Sequence, residues 1–323
     1  MKFLHNLKFQ KDFLKQNQAC LKKGTYVLHG NLRTYVLNKH MKGNWFPTEK
    51  QSLKHMIKVL IARIFYSVRV PKDGDKFSAQ AVYFSTVPQI YNRDAKFFDY
   101  EAKKVRTICQ NKIRYDLYMR NRVYFEQYFP MVQLLLADDE RFVFEERMID
   151  NKGVADGEWE TVFRRIFDIY SAYYKTNGID KIKTDYHCTN ISNSVTSGIS
   201  FSTVLYRQHG DLSSDNFMYD ADKRLFFIDY DHANYYPIFF DLFFLIVNLY
   251  ITKRNDIGIR LLINGLFDAY FRDAAEGEIL CVYDAFLVFA DYYLGICKKD
   301  GLSEEWRINF EKILLDIAGR LKR

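Results

Sequence analysis

Residues 209–216 read His-Gly-Asp-Leu-Ser-Ser-Asp-Asn, and Phe227-Ile-Asp-Tyr-Asp231 follows on a second apolar run. Two carboxylates and a carboxamide at this spacing suit one task, moving a phosphoryl group onto a hydroxyl. One carboxylate takes the proton of the attacking hydroxyl. The other, with the amide oxygen, holds Mg²⁺, which prefers carboxylate, carbonyl and water oxygens. Asp211, Asn216 and Asp229 supply that set. The competing reading is a turn-rich acidic loop without chemistry. The Ile228-Asp229 continuation, with Asp231 beside it, argues against that reading.

These residues resemble a known family. His209-Gly210-Asp211, Asn216 and Ile228-Asp229-Tyr230-Asp231 look like the aminoglycoside phosphotransferase/choline kinase family, within the protein-kinase-like fold. Phe240-Asp241-Leu242 resembles that family's later Phe-Asp-Leu element. The Gly after the His favours these small-molecule kinases over eukaryotic protein kinases, whose loop reads His-Arg-Asp. The resemblance covers about residues 200–245. It implies a two-lobed kinase that uses ATP (or GTP) with Mg²⁺. By the family pattern Asp211 is the base and Asn216 and Asp229 are the metal ligands. His209 and Asp231 support them, and Asp241 holds the loop backbone. Gln208 and His232, beside the motifs, read as positioning residues.

The elements that must position this set divide the chain. The expected fold class is α+β: a small β-rich N-terminal lobe and a larger helical C-terminal lobe, preceded by a basic helical extension. The expected divisions are an extension over residues 1–70, a nucleotide-binding lobe over 71–149 and a helical lobe over 150–323, with a turn at Pro71-Lys-Asp-Gly74 as the first boundary. Apolar alternation predicts strands over 79–87, 95–100, 104–109, 131–136 and 141–148, with a helix over 111–129. A hairpin is expected around Gly30-Asn31. Residues 177–200 read as polar and irregular. Short strands are expected at 205–209, 217–219 and 225–229, and about four helices from 239 onward.

No Gly-x-Gly-x-x-Gly stands in the first half of the chain. A loop covering phosphates would have to use Ser78-Ala79-Gln80 or residues 84–87. The phosphate-contacting Lys should lie on a strand before the 111–129 helix; Lys96, between apolar neighbours, is the first choice, with Lys104 and Arg106 as rivals. Its acidic partner on that helix could be only Asp116 or Glu126. The segment 144–148, including Glu146 and Met148, takes the place between lobes where backbone groups would bind adenine.

With 48% hydrophobic residues and 27% charged ones among 323, the chain is a globular protein and not a disordered one. Charge is uneven. Residues 1–70 hold 14 Lys and Arg against Asp12 and Glu49, while the remainder is slightly acidic. Such a block suits an anionic partner, a membrane surface among them. Within it residues 51–66 form an amphipathic helix with Leu53, Met56, Ile57, Leu60, Ile61 and Ile64 on one stripe; such a stripe ordinarily packs on its own protein. Nucleic acid is a less expected partner, because no nucleic-acid fold signature is present. Five scattered cysteines without a Cys-x-x-Cys read as reduced thiols. No h-region of a secretory signal is seen, and the apolar run 235–251 reads as a buried helix, so a cytoplasmic protein is expected, with an optional peripheral contact on the inner membrane face.

The reading that follows is a kinase acting on a small-molecule or glycan acceptor: a sugar, an envelope saccharide or an amino alcohol. The alternative is an inactive kinase-fold binding protein that uses its basic N-terminal region.

Overall fold

The computed structural model describes residues 2–38, 53–74, 77–85, 94–176, 179–191, 200–270 and 281–322. The chain forms two compact units, Met1–Leu117 with Val132–Ile149, and Tyr118–Met131 with Asp150–Arg323. The architecture is mixed α+β, with a β-rich first unit and a helical second one.

The first unit is built on one antiparallel sheet of eight strands: β1 (Gly24–Leu28), β2 (Thr34–Leu37), β3 (Val68–Val70), β4 (Ala81–Phe84), β5 (Ala95–Asp99), β6 (Lys104–Ile108), β7 (Leu134–Asp138) and β8 (Val143–Arg147). Their order across the sheet is β3-β1-β2-β4-β5-β6-β8-β7. The expected hairpin at Gly30-Asn31 joins β1 and β2; the Asn31 side-chain oxygen accepts from the Arg33 and Thr34 amides, each at 3.0 Å. Strand β5 shows the two-residue period of a sheet with one buried face, with Ala95, Phe97 and Asp99 inside. Over that face lies helix α1 (Lys2–Gln16), whose Phe13 meets Phe84 edge-on at 5.6 Å between ring centres. Helix α2 (Leu53–Tyr66) packs on β1 through Val59 and Ala62, and Arg63 Nε donates to the Leu28 carbonyl at 2.8 Å.

Residues 1–70 are therefore not an extension ahead of the sheet. They supply three of its strands and share one hydrophobic core with the strands that follow. The physical reason is pairing: β2 and β4 run in register from Thr34↔Tyr83 to Val36↔Ala81, which joins the sheet across the expected boundary.

Helix α3 (Lys112–Phe125) follows β6. The second unit holds α4 (Trp159–Lys175), β9 (Lys181–His187), β10 (Ser200–Gln208), β11 (Phe217–Tyr219), β12 (Leu225–Phe227), β13 (Asn234–Pro237), α5 (Phe240–Lys253), α6 (Ile257–Ile263), α7 (Val282–Lys299) and α8 (Glu304–Leu321). Helix α4 buries Val162, Ile166, Tyr170 and Tyr173 along one stripe. Helix α5 is buried on nearly every side, from Phe240 through Val247. That is the state of a core helix, and no described helix is long and apolar enough to cross a membrane.

One expectation fails in this unit. Residues 181–187 are not irregular but form β9, antiparallel to β10 from Lys181↔Tyr206 to His187↔Ser200. Its residues are mostly exposed, and only Ile182, Thr184 and Tyr186 on one face give a weak alternating signal.

Candidate active site

The catalytic-loop residues stand between β10 and the β11–β12 hairpin. Hairpin pairing is Phe217↔Phe227, Met218↔Phe226 and Tyr219↔Leu225. The Ile228 amide donates to the Asn216 carbonyl at 3.0 Å and extends the ladder by one step. Asn216 and Asp229 are thus carried at the same end of one small hairpin. The short apolar strands at 217–219 and 225–227 exist to put them there.

Asn216 is tightly defined. Its Nδ2 donates to the Asp211 backbone carbonyl at 2.6 Å and to Asp211 Oδ2 at 2.9 Å. With both amide hydrogens committed to Asp211, the side-chain oxygen Oδ1 is what Asn216 offers to a cation. Asp229 sits in the left-handed region, φ 65° and ψ 56°. A non-glycine residue held there stores local strain of about 1–3 kcal/mol, as functional sites do.

Burial pushes the Asp211 carboxyl above its ordinary range; His232 and His209 pull it down, the neighbouring Asp229 carboxylate pushes it further up, and the Asn216 hydrogen bond lowers it. The outcome is a carboxyl with more appetite for a proton than an exposed one, which is what a general base requires.

His209 is fully buried and ties the two acidic segments together. Its Nε2–H donates to the Ile228 carbonyl at 2.7 Å, and its Nδ1 accepts from the Asp211 amide at 3.3 Å. Gly210 has φ +81°; a Cβ there would come within 2.4 Å of Tyr236 Oη and 2.5 Å of the His232 carbonyl oxygen. Only glycine fits, because a backbone oxygen cannot step aside.

Asp241, at the start of α5, is wholly buried and fixes the loop from behind. Its Oδ1 accepts from the Gly210 amide at 2.8 Å. Its Oδ2 accepts from the His209 amide and from Tyr170 Oη, both at 2.7 Å. Desolvation raises its carboxyl, while His209 and these hydrogen bonds oppose the rise. Gln208 accepts from Tyr174 Oη at 2.9 Å and donates to the Tyr236 and Pro237 carbonyls at 3.0 and 2.7 Å. Asp231 lies in the short 3-10 turn Tyr230–His232, half-buried. His232 is exposed beside it.

Two positioning residues carry no sequence signal. Asn121 on α3 is fully buried and donates to the Tyr230 carbonyl at 2.7 Å. Arg207 donates to Asn121 Oδ1 at 2.7 Å, with its guanidinium 4.4 Å from the centre of the Tyr124 ring. Together they brace the Asp229-Tyr230-Asp231 corner. Nothing in the spacing of Asn121 or Arg207 sets them apart from ordinary polar positions.

The first-unit candidates separate by sheet face. Thr107 pairs with both Lys96 and Phe144, and Val105 pairs with Glu146, so strand alternation puts Lys96 and Glu146 on one face. Arg106 is on the other, where it forms an ion pair with Glu145 and lies 4.5 Å over the Phe77 ring. Lys104 Nζ also reaches Glu145, at 4.0 Å. Both rivals are thus engaged around Glu145. Asp116 pairs with Lys112 at 2.9 Å and Glu126 with Arg122 at 3.6 Å, each within its own local stretch. The Met148 amide donates to the Lys103 carbonyl at 2.8 Å, so only the Met148 carbonyl is left for a base.

Ser78-Ala79-Gln80 is no phosphate-covering loop. The Ala79 amide and carbonyl bond to Cys20 and Lys22, and the buried Gln80 side chain bonds to Ser78 and the Tyr100 amide. Residues 86 and 87 of the alternative loop lie outside the described residues.

The donor set fits Mg²⁺: one carboxylate and one fixed amide oxygen, to be completed by phosphates and water. Among the described residues no three His, Cys, Asp or Glu side chains gather as an all-protein metal site.

Residues 204–278 match the phosphotransferase enzyme family. The match begins within β10 and runs through the catalytic loop, the β11–β12 hairpin, α5 and α6. No curated protein matches the chain. Among solved structures it is similar to the choline kinase LicA from Streptococcus pneumoniae, at 10% identity and TM-score 0.45, over 82% of this chain and 98% of that one. It is also similar to the amicoumacin kinase hAmiN in complex with AMP-PNP, Ca²⁺ and Ami, at 13% identity and TM-score 0.42, over 74% and 88%. A third is a Plasmodium vivax ethanolamine kinase, at 10% identity and TM-score 0.39, over 73% and 82%.

Proposed function

We propose that this chain is a kinase of the protein-kinase-like fold that moves the γ-phosphoryl group of ATP or GTP onto a hydroxyl of a sugar, glycan or amino alcohol. The observation that carries the reading is the Asp211–Asn216 pair. Two hydrogen bonds from one amide nitrogen lock the loop and leave the amide oxygen as what Asn216 can offer, at the end of the hairpin that bears Asp229.

The acceptor hydroxyl gives its proton to Asp211 as its oxygen attacks phosphorus, and the leaving nucleotide diphosphate takes the electrons of the broken bond. Asn216 Oδ1 and the Asp229 carboxylate would hold Mg²⁺, which supplies charge neutralisation at the phosphates. His209 and Asp241 keep the loop in place and touch no substrate. Lys96 orients the phosphates, and the Met148 carbonyl receives the base; the Glu146 backbone is paired with Val105 in the sheet and does not.

The first test is calorimetry of ATP binding with and without Mg²⁺, on wild type and Asp229→Ala. Mg²⁺-dependent binding that the variant loses supports the reading and opens an acceptor screen beginning with sugars and choline. Correctly folded wild-type protein that binds no nucleotide would sink it and leave an inactive kinase fold.

A further inference from the structure

Helix α2 has two apolar faces. Val59 and Ala62 are buried against the sheet. The second face, Ile57, Leu60, Ile61, Ile64 and Phe65, faces solvent, with exposures from 47% at Ile61 to 66% at Ile64. These five positions follow the i, i+3, i+4, i+7, i+8 pattern, so they form one continuous strip rather than scattered exposed residues. Of the stripe expected to pack on its own protein, Ile57, Leu60, Ile61 and Ile64 do not pack on the described residues. A contiguous apolar strip on a surface marks a contact site.

The charges around the strip decide what it contacts. Lys58 is exposed on the same helix, and Lys54 lies one turn before it in sequence. At the far end Lys11 of α1 donates to the Phe65 carbonyl at 2.7 Å and stands 5.9 Å from the Tyr66 ring. Helix α1 itself carries Lys2, Lys8, Lys11 and Lys15 against Asp12 alone. A second copy of the chain would bring two such basic blocks together. A nucleic acid would gain the charges but not the aliphatic strip. A lipid surface takes both: Ile, Leu and Phe enter the acyl boundary, and the lysines meet anionic headgroups.

We propose that the outer face of α2, with Lys11 of α1 at its far end, docks the protein on an anionic lipid surface. The contact lies in the first unit and does not depend on the phosphotransferase reading.

The test is co-sedimentation of the full chain with vesicles, either phosphatidylcholine alone or phosphatidylcholine with phosphatidylglycerol. The protein pellets with the anionic vesicles and not with the neutral ones, and high salt weakens the binding. Ile61→Asn with Ile64→Asn lowers binding more than about tenfold, because two buried apolar contacts are lost. Lys58→Glu lowers it about fivefold or more. Both substitutions are at exposed positions, and an unchanged circular dichroism spectrum confirms each fold. Should the double variant fail to fold, Lys58→Glu still decides. Equal binding to both vesicle types, binding to neither, or binding untouched by these variants overturns the proposal. So does a solution dimer that the double variant disperses, which would assign the face to a second copy.

Discussion

At the scale of single residues, Asp211 is held in a state that costs the fold something. Burial raises its carboxyl, so the folded chain binds that proton more tightly than the unfolded chain. Ionising it therefore lowers stability. That cost is absent below the ordinary value of 3.8 and is fully present once pH exceeds the raised one. Asp211→Asn removes the charge and keeps an acceptor for Asn216. It is expected to lose about 10²–10⁴-fold in kcat, and yet to melt higher than wild type at pH 7. The gap in melting temperature should close as pH falls towards 4, at about the usual carboxylate range. Melting curves of the two proteins across pH check this; a variant that melts lower than wild type at pH 7 would show the Asp211 environment misread. Gly210→Ala belongs at the same scale. The clash with the His232 carbonyl and the positive φ predict a loss of about 1–3 kcal/mol together with impaired turnover.

At the scale of elements, two buried carboxylates do similar structural work in different places. Asp241 accepts from the His209 and Gly210 amides. Asp291 on α7 accepts from the Asn190 and Ile191 amides, at 2.6 and 2.8 Å, and from Tyr186 Oη at 2.8 Å. Asp241→Asn and Asp291→Asn should each destabilise by about 1–3 kcal/mol, since each leaves buried donors short of an acceptor. Only Asp241→Asn should also cut kcat beyond what its folded fraction explains, because only Asp241 holds the loop that bears Asp211. Equal specific activity in the two variants, per folded molecule, would deny Asp241 that positioning role. The pair also shows what a sequence reveals. Asp241 was legible because it stands in Phe240-Asp-Leu242, near the loop it serves. Asp291 was not, because its partners are backbone amides about a hundred residues away, and no local pattern marks them. Strand β9 escaped for another reason: Lys181–His187 is mostly exposed, and its less polar face, Ile182, Thr184 and Tyr186, makes only a short, weak alternation inside a polar stretch. For α2 the helical period was plain, but periodicity cannot say which apolar face turns inward. The hairpin β11–β12 was readable almost to the residue, since short alternating strands flank the turn between Asp220 and Lys223.

At the scale of the whole molecule, the proposed nucleotide ligands Asn216, Asp229 and Lys96 can all be tested through one property of the folded chain, its melting temperature. Ligand binding to the folded chain raises its stability by mass action, about 2.7 kcal/mol at a hundredfold excess over Kd. Mg²⁺ with ATP should therefore raise the melting temperature of wild type by several degrees, and ATP with a chelator should not. Asp229→Asn should abolish the shift. The sheet register makes a finer forecast. Lys96 lies on the face opposite Arg106 and Glu145, so Lys96→Met should reduce the shift. Lys104→Met, which removes only a long contact to Glu145, should leave it whole. A shift preserved in Lys96→Met but lost in Lys104→Met would move the phosphate contact to the opposite face of the sheet. A shift preserved in both would leave Asn216 and Asp229 as the nucleotide ligands.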